Sequence, residues 1–225
     1  MRLGFRLMLA TVLGSTTPAW AYNSVAGVRD GQTRFTGGLL LQDAEYEFET
    51  GNTEFDVEGD IVTLGVKSGL SSSFALGAGL GLMLDGELGR QGTVGDGEGY
   101  RLFVDGDLEF TRLGGSTLLG TFILTHDRFS FDDPGDVDFT MTEIKAGVLV
   151  LRRIQHVSLY GGLDVILFSD GEVDDGRPDP LEAERSSRLN LRLGLAFAVN
   201  SSIDLRADLH LLNEQSLFFG ADFRI

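Results

Sequence analysis

In the last 23 residues of this 225-residue chain, from Ile203 to Ile225, every second position is apolar on either side of a polar turn. Ile203, Leu205, Ala207, Leu209 and Leu211 alternate with Asp204, Arg206, Asp208 and His210. After Asn213-Glu214-Gln215, Leu217, Phe219, Ala221, Phe223 and Ile225 alternate again, with Asp222 and Arg224 between the last three. Successive side chains of a strand point to opposite faces, so this period of two predicts a hairpin with one apolar and one charged face. A helix cannot present either face in one piece.

The same pattern recurs upstream and divides the chain into ten strands. They cover about 34–48, 54–69, 74–85, 100–111, 116–131, 139–152, 157–169, 188–199, 203–211 and 217–225. Turn residues separate them. In the third, Phe74, Leu76, Ala78, Leu80, Leu82 and Leu84 form one face and a glycine-rich set the other. Consecutive Leu39, Leu40 and Leu41 blur the facing of the first strand and suggest a bulge. Pro134, Pro178 and Pro180 fall in stretches read as loops, where a missing ladder donor costs nothing. Short turns at Ser71, Leu113, Arg153 and Asn200 alternate with longer connections at Gly89–Gly99, Asp132–Asp136 and Asp170–Ser187. An eight-stranded count would require merging two hairpins.

Met1–Ala21 reads as a secretory leader: Arg2 and Arg6, an apolar run from Leu7 to Leu13, and Ala19-Trp20-Ala21 as a cleavage site. Residues 22–33 then form a periplasmic segment and 34–225 the β domain. No later apolar run is long enough for a membrane helix, and only helices and closed barrels satisfy their backbone in lipid. There are no cysteines, which excludes disulfides, thiolate metal sites and a lipidated anchor. The 18 basic residues include Arg2 and Arg6; without them 16 face 34 acidic ones, a net charge of −18. That excess argues against nucleic-acid partners.

The closing stretch 217–225 resembles the carboxy-terminal signature of bacterial outer-membrane β-barrels, with Ile225 where Phe is commoner. The resemblance implies an all-β, antiparallel up-and-down transmembrane barrel of ten strands. It also implies outer-membrane lipids as surroundings and the barrel-assembly machinery as a partner of the last strand. Short turns then face the periplasm. The charged faces would line the lumen, bringing together Lys67, Asp105, Asp107, Glu109, Lys145, Asp164, Arg192, Asp204, Arg206, Asp208, His210, Asp222 and Arg224. A three-residue turn at 213–215 would place Arg206 opposite Asp222 and Asp204 opposite Arg224. A four-residue turn at 153–156 would place Lys145 opposite Asp164.

Candidate chemistry is sparse. Asp208-Leu209-His210 with Asp105-Gly106-Asp107 resembles the Asp pair and Asp-His pair of omptin proteases. Here both sit within strands rather than at the mouth, and a structural network is the simpler reading. His126 is followed by Arg128 where an outer-membrane lipid-A deacylase has Ser. The segment Asp170–Gly176 fails the EF-hand spacing, with Asp175 at the glycine position and Leu181 at the glutamate position. It reads as a solvated acidic loop, with weak divalent-cation binding as the alternative. No cofactor or metal motif is present. The leading function is a structural or surface-interacting barrel with a narrow, charge-lined lumen. A small channel for polar solutes is the rival, and an omptin-like enzyme the third.

Overall fold

A computed structural model describes residues 30–49, 53–89, 93–133, 136–212 and 214–225. The leader and most of the 22–33 segment lie outside these residues. The described chain is all β. The strands are β1 (Thr33–Phe48), β2 (Glu54–Gly69), β3 (Phe74–Gly89), β4 (Thr93–Leu113), β5 (Ser116–Asp133), β6 (Val137–Ile154), β7 (Val157–Asp174), β8 (Leu181–Arg185), β9 (Leu189–Ala198), β10 (Ile203–Leu212) and β11 (Glu214–Arg224).

Ten of these close an antiparallel barrel. Each pairs with the next along the chain, β7 pairs with β9, and β11 returns to β1. The eleventh, β8, lies within the stretch read from sequence as the loop 170–187. It pairs with β7 at Gly171–Val173 and with β1 at Tyr46–Phe48. The connection at 89–99 is likewise shorter than its sequence suggests, because β3 runs to Gly89 and β4 begins at Thr93. Glycine-rich and acidic segments read as loops, yet ladder pairing extends both hairpins.

Strand lengths explain β8. Strands β9, β10 and β11 have 10, 10 and 11 residues, whereas β1 to β7 have 16 to 21. Beyond the ends of the three short strands the wall between β7 and β1 would be open. The short β8 fills that gap. The molecule is therefore a ten-stranded barrel at the end that carries the tight turns, and an eight-stranded one, β1 to β8, at the far end. About 9–11 residues is also the length at which a tilted strand crosses a bilayer core.

The facing inverts between the two sections, as β2 shows. Its outward residues are Glu54, Asp56, Glu58 and Asp60 at the far end, then Val62, Leu64 and Val66. Its inward residues are Phe55, Val57 and Ile61, then Thr63 and Lys67. The ten-stranded section is thus apolar outside and polar inside, and the eight-stranded section is the reverse. A belt of exposed Leu, Val and Phe encircles the ten-stranded section, from Leu80 and Leu102 through Leu163 and Leu193 to Phe219 and Phe223.

The doubtful stretch Leu39–Leu41 is regular, with Leu40 buried and unbroken pairing to both neighbours. Register shifts occur instead at Asp60/Ile61, Glu109/Thr111 and Ile144/Lys145. The extra residues are Leu84, Phe110 and Leu167, all exposed. Each bulge places an additional apolar side chain on the outer wall, and the inward positions shift by one across it, from Met83 to Leu88 in β3 and from Ile166 to Val173 in β7.

Candidate functional site: a charged lumen beneath an aromatic seal

The lumen has room for charges because β3 presents almost no side chains to it. A Cβ on Gly79 would lie 2.3 Å from the Phe103 ring, and one on Gly81 would lie 2.7 Å from Ile61. Lys67 on β2 therefore reaches across the inner face of β3 to β4. Its Nζ lies 2.5 Å from Asp105 and 2.7 Å from Asp107. Lys67 is fully buried.

Further round the wall, Arg206 Nε lies 3.0 Å from Asp208, and its guanidinium sits 4.5 Å above the Phe218 ring. Tyr160 donates to Asp208, and Arg192 approaches the same carboxylate at 3.9 Å. Towards the far end, Lys145 contacts Glu143 at 3.1 Å and Glu214 at 3.0 Å. His210 Nδ1 lies 3.6 Å from Glu214. At the terminus end, Asp204 takes Arg34 at 3.2 Å and also Arg224.

The three cross-strand pairs expected from turn lengths do not form as drawn. The last ladder pair of the β10–β11 hairpin is His210 with Ser216, which sets Arg206 opposite Gly220 and Asp204 opposite Asp222. The hairpin tip splays because its two edges are held elsewhere: Leu212 pairs with Asn190 of β9 and Glu214 with Ala44 of β1. Asp222 instead accepts from Thr36 at 2.7 Å. Asp204 and Arg224 do meet, but diagonally. In the β6–β7 hairpin the turn is only Gln155-His156, with Gln155 at φ 53°. Asp164 consequently faces Gly147, accepts from Thr121 at 3.3 Å, and lies away from the Lys145 partners. Glu109 stands apart too: it is half-exposed near a turn and pairs with Arg112.

Several charged residues of the lumen were not singled out from sequence. Arg101 and Asp127 are fully buried and doubly bonded, one contact being 2.6 Å. Their parity was legible, but a two-residue turn at Gly114-Gly115 would misalign them by one. The bulge at Phe110 corrects the register. Arg185 lay in a stretch read as a loop. It points inward from β8 together with Ala183, bonds Glu143, and its guanidinium lies 4.2 Å from the Tyr46 ring. No local sequence signal points to it, because β8 is defined by its two neighbours.

Above these charges the eight-stranded section is filled with apolar side chains. Phe48 stacks on Phe55 at 4.5 Å, Tyr46 on Phe55 at 5.6 Å, and Phe139 meets Tyr46 edge-on at 5.0 Å. Phe129, Phe131, Met141 and Val173 complete a core with almost no exposed surface. Asp105, Asp107, Asp208 and His210 are therefore buried below an aromatic layer and engaged by neighbours, rather than open at the mouth. Among the described residues no group of three or more His, Asp or Glu is arranged to hold a metal ion. The segment from Asp170 continues β7 to Asp174, and Asp175 pairs with Arg177 at 3.2 Å.

No family model and no curated protein sequence matches this chain. Solved structures do. The outer membrane protease OmpT from Escherichia coli superposes with a TM-score of 0.55 at 9% identity, covering 90% of this chain and 99% of that one. The β domain of the Bordetella autotransporter BrkA gives 0.49 at 14% identity, covering 87% and 99%. The translocator domain of the autotransporter NalP from Neisseria meningitidis gives 0.44 at 12%, covering 100% and 95%. At such identities the likeness concerns architecture: the chain has the fold of an outer-membrane β-barrel.

Proposed function

We propose that the protein is an integral outer-membrane barrel with a structural or surface-interacting role, and that it does not conduct solutes. The observation that carries this is the inversion of facing along the barrel. The apolar belt of the ten-stranded section suits lipid, and the acidic outer wall of the eight-stranded section suits water. The aromatic core of that outer section seals the charged lumen beneath it. In this reading Met1–Ala21 is removed on export, strand β11 is read by the assembly machinery, and the tight turns face the periplasm. The buried charges serve to hold the wall together. Rows of carboxylates on the outer section offer weak sites for divalent cations.

Planar-bilayer recording of the refolded full-length protein tests it. We expect no stepwise openings. Reproducible unitary conductance would favour the channel, and recovery of the native protein as a soluble periplasmic species would overturn the membrane placement.

A further inference from the structure

The terminus end of the lumen is open, and its chemistry runs against that of the chain. A cavity of about 510 Å³ lies there, within the range of small-ligand sites. Three guanidiniums line it, those of Arg34, Arg153 and Arg224, against the single side-chain carboxylate of Asp204. Ser158 and His156 add polar groups. In a chain with 34 acidic and 18 basic residues, such a reversal is local and specific.

The site is built rather than incidental. Arg34 and Asp204 are both 3% exposed, on the floor of the cavity. Asp204 is shared between Arg34, at 3.2 Å, and Arg224. Arg224 Nη1 is fixed by the Ser201 carbonyl at 3.1 Å, while its buried Nε donates to no described group. Asp222, which accepts from Thr36 at 2.7 Å, is a second carboxylate acting on Arg34, so Arg153 at the opening is the cation beyond these two pairs. Arg153 stands at the end of β6, beside the β6–β7 turn at the rim, where its Nε reaches Ser158 Oγ at 3.5 Å. Planar guanidiniums of this kind match oxyanions by paired, charge-assisted hydrogen bonds.

We propose that this vestibule binds a small polar ligand through an oxyanion, a carboxylate or a phosphate, held by Arg34 on the floor and by Arg224 and Arg153 nearer the rim. In the orientation proposed above the ligand would come from the periplasm. Binding itself does not depend on that orientation or on whether the barrel conducts.

The test is isothermal titration of the full-length protein folded in zwitterionic detergent. Inorganic phosphate and succinate are titrated separately at constant ionic strength. We expect saturable binding of at least one, weakened about tenfold by Arg153→Gln, which removes one charge-assisted contact from an exposed strand end. Arg177→Gln, at the opposite end of the barrel, should leave it unchanged. Binding of phosphate alone assigns a phosphoryl group as the oxyanion, and of succinate alone a carboxylate. Absence of saturable binding with both ligands overturns the proposal, as does equal weakening by Arg177→Gln or no weakening by Arg153→Gln.

Discussion

Arg185 and Glu143 are 42 residues apart and on strands that do not pair, yet their side chains are bonded in the buried centre of the barrel. Arg185 belongs to the five-residue strand that closes the eight-stranded section, and Glu143 to a strand that runs through both sections. The pair therefore anchors the short closing strand to the barrel beneath it. Breaking a buried pair on one side leaves an uncompensated charge and costs about 3–5 kcal/mol. Arg185→Met alone should lower unfolding stability in detergent by that order. Adding Glu143→Leu should restore most of it, because Lys145 and Glu214 remain as a balanced pair at 3.0 Å. Small additive losses in a double-mutant cycle would place both residues in bulk water.

The outer wall and the inner wall of the ten-stranded section should respond to different substitutions. Leu193 is 41% exposed on the apolar belt. Leu193→Arg should cost about 2–4 kcal/mol in lipid, the penalty of a charge near the bilayer midplane. Gly79→Ala should cost about 1–3 kcal/mol by overpacking, since the added methyl would meet Phe103 and the Leu64 carbonyl. Refolding equilibria in vesicles measure both. Spin-label contact with a lipid-soluble quencher should alternate from residue 189 to 198.

The outer section carries like charges directly opposite one another: Glu47 with Glu54, Glu45 with Asp56, Glu47 with Glu184, Glu172 with Glu182. Such pairs are unfavourable and screened by salt. At the rim, the Glu49 carboxyl is raised above its ordinary value by a hydrogen bond to Glu182 and by that residue's charge. A carboxyl raised by folding adds stability that is complete below its ordinary value, near 4.5, and is lost as pH rises through the raised one. Exchange of the Glu49 amide, which donates to the Glu182 carbonyl at 3.1 Å, should slow on acidification to about pH 4, after correction for intrinsic rates. Added salt at neutral pH should slow it too. Glu182→Gln should flatten the pH response, and an unchanged response would refute the assignment.

Peptidase activity is the remaining check. Asp208 is held by Tyr160 and Arg206, and Lys67 occupies Asp105 and Asp107. We expect no cleavage of a dibasic peptide by the refolded protein. Cleavage abolished by Asp208→Asn with His210→Ala would reinstate the omptin-like reading.

The alternating hairpin at the carboxy terminus, the glycine face of the third strand and the charge parity of Lys67, Asp105, Asp107, Arg192 and Arg206 determined much of the architecture from sequence alone. Alternation is a local property, and each strand reports its own two faces. Pairing is not local. Arg206 faces Gly220 rather than Asp222 because each strand of its hairpin is also held by another neighbour. Arg101 meets Asp127 only through a bulge at Phe110. The short strand that carries Arg185 exists because β9 to β11 end early and leave a gap between β7 and β1. The ten strands of the barrel were legible as ten alternating segments, whereas the eight-stranded closure at the far end was not. Only closure of the wall decides these matters, because it imposes on every strand two partners at once.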